Sequence, residues 1–390
     1  MPAINPEFSF YLYNTENPVW LESKIWTSFL PVNRLFDCSE QGSITHGDYF
    51  SAIKDFLTKD NYKNLFQTIF SGFQYKTSDK IKFIRIILEK HGEFYHPARI
   101  DVQLSSFKFS FVINFAVSQH GKNCIKQEYE LLNSLAAKFP FSFVPQVYVL
   151  GQGLALNGQQ FPMFAGEWFE GYFEFHISDR KNKIQVWNAE HGNSFLSSDQ
   201  TLSLYKQAAM ILTCYYDLET FAHIFPWHHG AGDFVVQIPE NGDTDKGLEL
   251  KLITVRQYSP LILIDENEKN ERVILDALLI FFLHLSICMR IDRINGVDSL
   301  AWADDTAVQG TIDGFFQGLS LQVIDSVFPE NLPDIFVKYL MTFSKKDLLS
   351  TAETIYNIYP PHAPELDFIR QNLKPHINCL LNIINSSLNV

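Results

Sequence analysis

Charge is scarce in this chain, and positive charge is the scarcer sign: charged residues make up 19% of 390 positions, with 31 Lys and Arg against 44 Asp and Glu. The formal net charge of −13 leaves no general positive field for a polyphosphate, so nucleic acid is not an expected partner, although a local basic pocket remains open. Cysteine is sparse too. The five cysteines, Cys38, Cys124, Cys214, Cys288 and Cys379, form no CxxC pair and no metal-ligand spacing, which argues against a disulfide framework and for free thiols in a reducing compartment. The longest apolar run, Ala277 to Met289, is too short to span a bilayer and contains His284 and Ser286, so it reads as a buried helix and no membrane partner is expected. The N-terminal stretch MPAINPEFSFYLYNTENPVW lacks a basic segment followed by an apolar core and a small-residue cleavage site, so a cytoplasmic location is expected. Also missing are GxxxxGK[ST], GxGxxG after a strand, the GxSxG elbow and HExxH, which removes sequence support for P-loop, dinucleotide-binding, hydrolase-elbow and zinc-protease chemistry.

What is abundant is apolar and aromatic. Apolar residues account for 46% of the chain and phenylalanine alone for 35 positions, enough for a large core spread over two to three domains or one two-lobed unit. Helical spacing runs from Asp48 to Phe73, so residues 1–78 are expected to form a helical extension of one or two amphipathic helices. From Lys80 the pattern turns to β: IKFIRIILEKHGEFYHPARIDVQL and FKFSFVINFAVS, broken by Gly92 and Pro97, predict two or three antiparallel strands. CIKQEYELLNSLAAKF then places Ile125, Tyr129, Leu132 and Leu135 on one helix face. Strands resume in FVPQVYVLGQG and FPMFAGEWFEG, closing a sheet-plus-helix segment over 79–170. Residues 171–390 read as mainly helical: one helix from Gln200 to Ile224, a hairpin of FVVQI and LELKLITV turned by ENGDTDKG, and four to six helices after Glu271. This order defines an α+β chain in two lobes.

The order of elements over residues 80–340 resembles the protein-kinase-like superfamily, in particular its aminoglycoside phosphotransferase and choline kinase branch. The resemblance implies a small antiparallel sheet with one key helix, a mostly helical second lobe, ATP and Mg²⁺ as cofactors, and a small-molecule or protein acceptor. In such proteins a strand lysine, oriented by a helix glutamate, holds the nucleotide phosphates. Phe111-Val-Ile-Asn114 is similar to that strand, with Asn114 where the lysine belongs, and Glu128 stands where the glutamate would, unless it is simply a solvated helix residue. An amide cannot neutralise phosphate, so the cation has to come from Lys90 or Arg99, on either side of Gly92. The stretch Phe161 to Gly171, which contains Glu167, looks like the segment between lobes that would meet an adenine ring.

The stretch PWHHGAGDFVVQI resembles the catalytic loop, in which an aspartate base is followed five residues later by a metal-binding asparagine. Aligning the glycine and the apolar strand puts His228 on the base and Asp233 on the metal; a second placement makes Asp233 the base, with His229 ahead of it. The next strand offers Thr254 and Arg256 where a second metal aspartate belongs, leaving Asp265 further on as the other candidate ligand. Arg256 is instead suited to hold a phosphate or carboxylate by two parallel hydrogen bonds. Three functions follow: a phosphotransferase with rearranged residues, a kinase-like binding module without transfer, and a transition-metal hydrolase built on His223, His228, His229 and Asp233.

Overall fold

In the computed structural model, residues 6–31, 44–72, 80–92, 94–178, 183–188, 192–230, 232–239, 247–263, 270–296, 299–322, 331–355 and 359–388 are described. The chain divides into two compact units, one of Met1–Lys138 with Pro145–Glu170 and one of Phe139–Val144 with Gly171–Val390.

The first unit contains β1 (Glu7–Leu12), α1 (Lys24–Thr27), α2 (His46–Gly72), β2 (Ile81–Leu88), β3 (Ala98–Leu104), β4 (Lys108–Phe115), α3 (Gln119–Lys138), β5 (Val147–Leu154) and β6 (Gln160–Glu167). Its sheet has the order β1-β2-β3-β4-β6-β5, six strands in all. Period-two patterning explains how it buries one face: Phe109, Phe111, Ile113 and Phe115 of β4 all point into the core, with Ile84 and Ile86 of β2, Ile100 and Val102 of β3, and Met163 and Ala165 of β6. Tyr49, Phe50, Ile53, Phe56 and Leu57 of α2 belong to the same cluster, so this helix covers the sheet. The helix is interrupted at Lys59–Tyr62, where Asp60, Asn61 and Tyr62 take φ of 51°, 58° and 65°.

Two expectations need correction here. Residues 1–78 are not a purely helical extension, because Glu7–Leu12 is a strand that pairs in parallel with β2, Phe8 opposite Ile84 and Phe10 opposite Ile86. The sheet is accordingly mixed rather than wholly antiparallel. Parallel neighbours need a long crossover, and the connection from β1 to β2 contains α2.

The second unit contains β7 (Phe175–Ile177), β8 (Ile184–Val186), β9 (Ser194–Phe195), α4 (Ser198–Cys214), β10 (Ala222–Ile224), β11 (Phe234–Gln237), β12 (Glu249–Leu252), β13 (Tyr258–Pro260), α5 (Glu271–Cys288), β14 (Ile291–Arg293), β15 (Leu300–Trp302), α6 (Asp305–Leu321), α7 (Leu332–Leu340), α8 (Lys345–Thr354) and α9 (Pro364–Leu388). Helix α4 starts in a capping box, with Ser197 and Gln200 satisfying each other's backbone amides. It ends at Cys214 and does not continue to Ile224. The Asp217 carboxylate accepts from the Glu219 amide at 2.9 Å and the Thr220 hydroxyl at 2.5 Å, and Phe221 has φ of 59°, so an aspartate-led turn replaces the last helical turns. The apolar period misleads there because β10 is itself fully buried. No described helix is long and apolar enough to cross a membrane.

Candidate functional site

Two short antiparallel ladders bring the loop of residues 225–233 against the connector of residues 253–257. Strand β11, which follows the loop, pairs with β12, Phe234 opposite Leu252; strand β10, which precedes it, pairs with β13, Ile224 opposite Tyr258. The loop and connector are therefore joined at both ends, by Ile253 N–H to Asp233 C=O at 2.8 Å and Phe225 N–H to Gln257 C=O at 3.2 Å. Gly232 supplies a φ of 81°, a left-handed turn that a side chain would strain, immediately before Asp233.

Across this closed ring Arg256 meets Asp233. Nη2 donates to Oδ1 at 2.5 Å and Nη1 to Oδ2 at 2.9 Å, the paired geometry in which a guanidinium matches a carboxylate. Oδ2 also accepts the backbone N–H of His228 at 2.8 Å. Asp233 is 1% exposed, whereas the Arg256 side chain keeps 24% of its surface. His228 thus enters the arrangement through its amide, and its imidazole is half-buried.

The neighbouring histidines take different surroundings. His229 is fully buried, with its ring 5.2 Å from that of Tyr205 and Nδ1 3.8 Å from Asp292 Oδ2. Burial lowers its pKa, and Asp292 opposes that only in part. His223 lies against Phe281 and His284, with ring separations of 5.5 and 5.7 Å, and burial holds its pKa at about 4. Among the described residues no group of three or more His, Cys, Asp or Glu is placed to hold a metal ion, so His223, His228, His229 and Asp233 are not gathered into the cluster expected of them. The expected metal-binding role of Asp233 meets a carboxylate whose two oxygens are both engaged by donors. Asp265 lies outside the described residues.

The remaining expected site residues belong to the first unit. Lys90 and Gly92 lie in the connector between β2 and β3, where the Gly92 amide donates to Tyr95 C=O at 3.0 Å. Arg99, on β3, has Nε 3.2 Å from Glu89 Oε1 and 3.5 Å from Asp101 Oδ1, and its guanidinium lies 5.5 Å from the Trp168 ring. That cation therefore already faces two carboxyl groups within its own unit. Burial pushes the Glu89 carboxyl up to about 7, Asp101 and Glu170 add to the rise, and Arg99 and Lys90 oppose it. Asn114 sits on β4 opposite Phe164 of β6, and Glu128 of α3 is 3% exposed, so it is a buried helix residue and not a solvated one. Glu167 Oε2 accepts the Gln146 amide at 3.1 Å, a bond that ties the end of β6 to the chain entering β5.

The sequence placed Arg256 facing the loop of His228 to Asp233 and suited to a carboxylate, without naming Asp233 as that carboxylate, and the partners of Arg99 were missed. The signal for Arg256 was its place four residues beyond β12, which the hairpin folds back beside Asp233; Glu89 and Asp101, two residues apart in strand register from Arg99, carried a weaker one.

No protein-family model matches the sequence, and no curated protein matches it. Among the solved structures, the chain is similar to one described as "WaaP in complex with acyl carrier protein", at 7% identity and a TM-score of 0.26, over 74% of this chain and 84% of that one. A TM-score and an identity that low establish neither an architecture nor an activity. The class of the protein is α+β, with a mixed six-stranded sheet in one unit and a mainly helical second unit.

Proposed function

We propose that this chain is a kinase-like binding module that holds a nucleotide, a small molecule or a protein partner without transferring phosphate. The observation that carries this reading is the pairing of the buried Asp233 carboxylate with Arg256. Mg²⁺ binds through anionic oxygen, and both oxygens of Asp233 already accept charge-assisted or amide hydrogen bonds. A metal at this carboxylate has to displace a guanidinium held at two points in a site from which water is largely excluded. The strand position of Asn114 and the pairing of Arg99 with Glu89 and Asp101 support the same reading, since neither leaves an uncommitted cation for the phosphates.

Thermal denaturation of the wild type and Asp233→Ala, each with ATP alone, Mg²⁺ alone and both together, tests the proposal. A ligand that binds only the native state raises the apparent stability. The expected outcome is that Mg²⁺ adds nothing to the shift produced by ATP, in either protein. A stabilisation that requires Mg²⁺ in the wild type and vanishes in Asp233→Ala would restore the phosphotransferase.

A further inference from the structure

We propose that His46, His91 and His96 form an acid-opened clasp that holds the Ser23–Pro31 segment on the first unit. The segment is bound at several points. Phe29 bridges Thr45, the Leu30 amide donates to Ile44 C=O at 2.9 Å, and the His46 amide donates to Ser28 C=O at 3.0 Å. Two imidazoles complete the attachment. His46 Nδ1 lies 3.1 Å from Ser28 C=O and 3.2 Å from Ser28 Oγ, and His96 Nε2 lies 2.8 Å from Pro31 C=O. A carbonyl only accepts, so each of these nitrogens carries the proton.

That assignment leaves His96 Nδ1 as the bare nitrogen, and it is buried with no hydrogen-bond partner among the described residues. A second proton on His96 therefore has no acceptor to meet it. The histidines also face one another: the His91 ring is 5.2 Å from that of His96 and 6.3 Å from that of His46. Among the described residues, none of the other ionisable groups on the packed elements hydrogen-bonds His96 Nδ1. Tyr49 of α2 donates its hydroxyl to His96 C=O at 3.0 Å. Asp48 accepts from Thr45 and from the Asn157 amide, Glu89 stands beside Arg99, and Lys90 adds a further positive charge on the connector. Burial lowers the pKa of His96 to about 4 although its bond to Pro31 C=O pulls the other way, with His91 and His46 reinforcing the drop, and partial burial together with His46 lowers that of His91, which is otherwise exposed.

The sign follows from these directions. A histidine whose pKa is depressed in the closed state takes up protons on opening, so the closed state is favoured above the ordinary histidine range and loses ground as pH falls through it, by up to tenfold per pH unit for each such group. Between pH 7.5 and 5.5, His96 alone raises the opening constant of the segment about tenfold. Opening also carries Trp26 into solvent; it is 7% exposed and packs 5.3 Å from Phe10 and 6.1 Å from Phe50.

Hydrogen–deuterium exchange of the full chain, corrected for intrinsic rates, tests the clasp at these two pH values. The wild type is expected to lose protection over residues 24–31 at pH 5.5 while the helices of the second unit stay protected, with a red shift of tryptophan emission. His96→Gln keeps a donor for Pro31 C=O but cannot be protonated, and it should remove about tenfold of the response. His91→Gln, at a surface position, serves as the second variant should His96→Gln not fold, and it too should flatten the response. Full pH sensitivity in the variant, or segment opening only together with unfolding of the second unit, would overturn the proposal.

Discussion

Arg256→Ala is expected to destabilise the second unit by about 3–5 kcal/mol, more than Asp233→Ala does. The order follows from the difference in burial. Removing the guanidinium strands a carboxylate that is 1% exposed, with only the His228 amide left to hold it. Removing the carboxylate instead frees an arginine whose side chain is 24% exposed and can turn to water, and it costs the His228 amide its acceptor, for about 1–3 kcal/mol. The double variant should be less destabilised than the sum of the two, because each single change already breaks the same pair. Urea unfolding, followed on the transition of the second unit, supplies all four corners of this cycle. Additive effects would mean that the two side chains do not interact as described.

Substitution of Gly314 is expected to be nearly as damaging, for a different reason. Helix α6 presents Gly310, Gly314 and Gly318 to α4 at four-residue spacing, one above another on a single face. A Cβ on Gly314 would lie 2.0 Å from the Lys206 carbonyl oxygen and 2.9 Å from the Ala209 Cβ. Because the first obstacle is backbone, no rotamer relieves it, and the helices have to separate. Separation would also disturb the aromatic packing on α6, where Phe315 lies 4.7 Å from Phe282 of α5. Gly314→Ala should cost about 1–3 kcal/mol in overpacking, even though alanine gains ~1 kcal/mol in helix propensity, and Gly314→Leu should lie at or above the top of that range. Thermal or urea denaturation checks this. A more stable Gly314→Ala protein would mean that propensity dominates and that the helices are not in close contact.

Much of the fold was legible because its patterns are local. Alternation placed β4 and β6, and the apolar face of Ile125, Leu132 and Leu135 placed α3, whose three residues are buried. Strand β1 was legible in its alternation, since Phe8, Phe10 and Leu12 pack on the core and Glu7, Ser9 and Tyr11 stand between them, but so short a pattern beside the helical spacing that follows gave no sign of a parallel partner some seventy residues away. The end of α4 was misplaced because a buried strand continued its apolar character beyond the Asp217 turn. The candidate site was legible in position and not in chemistry. PWHHGAGDFVVQI does form a loop entering a strand, yet which of its polar residues face one another depends on a hairpin partner that contributes Arg256, and the turn of that hairpin lies outside the described residues. Glu128 looked ambiguous because a single glutamate on an amphipathic helix does not reveal its own burial; the structure places it inside.

The most direct test of the central claim, that Arg256 and not a metal ion occupies Asp233, is electron paramagnetic resonance of Mn²⁺ titrated into the protein with ATP. The signal of free Mn²⁺ should be the same with the wild type as with Asp233→Asn, because the carboxylate is engaged by Arg256 and is not available as a ligand. Uptake of one Mn²⁺ per wild-type chain, dependent on ATP and absent in Asp233→Asn, would contradict the account and identify the loop as a metal-binding one.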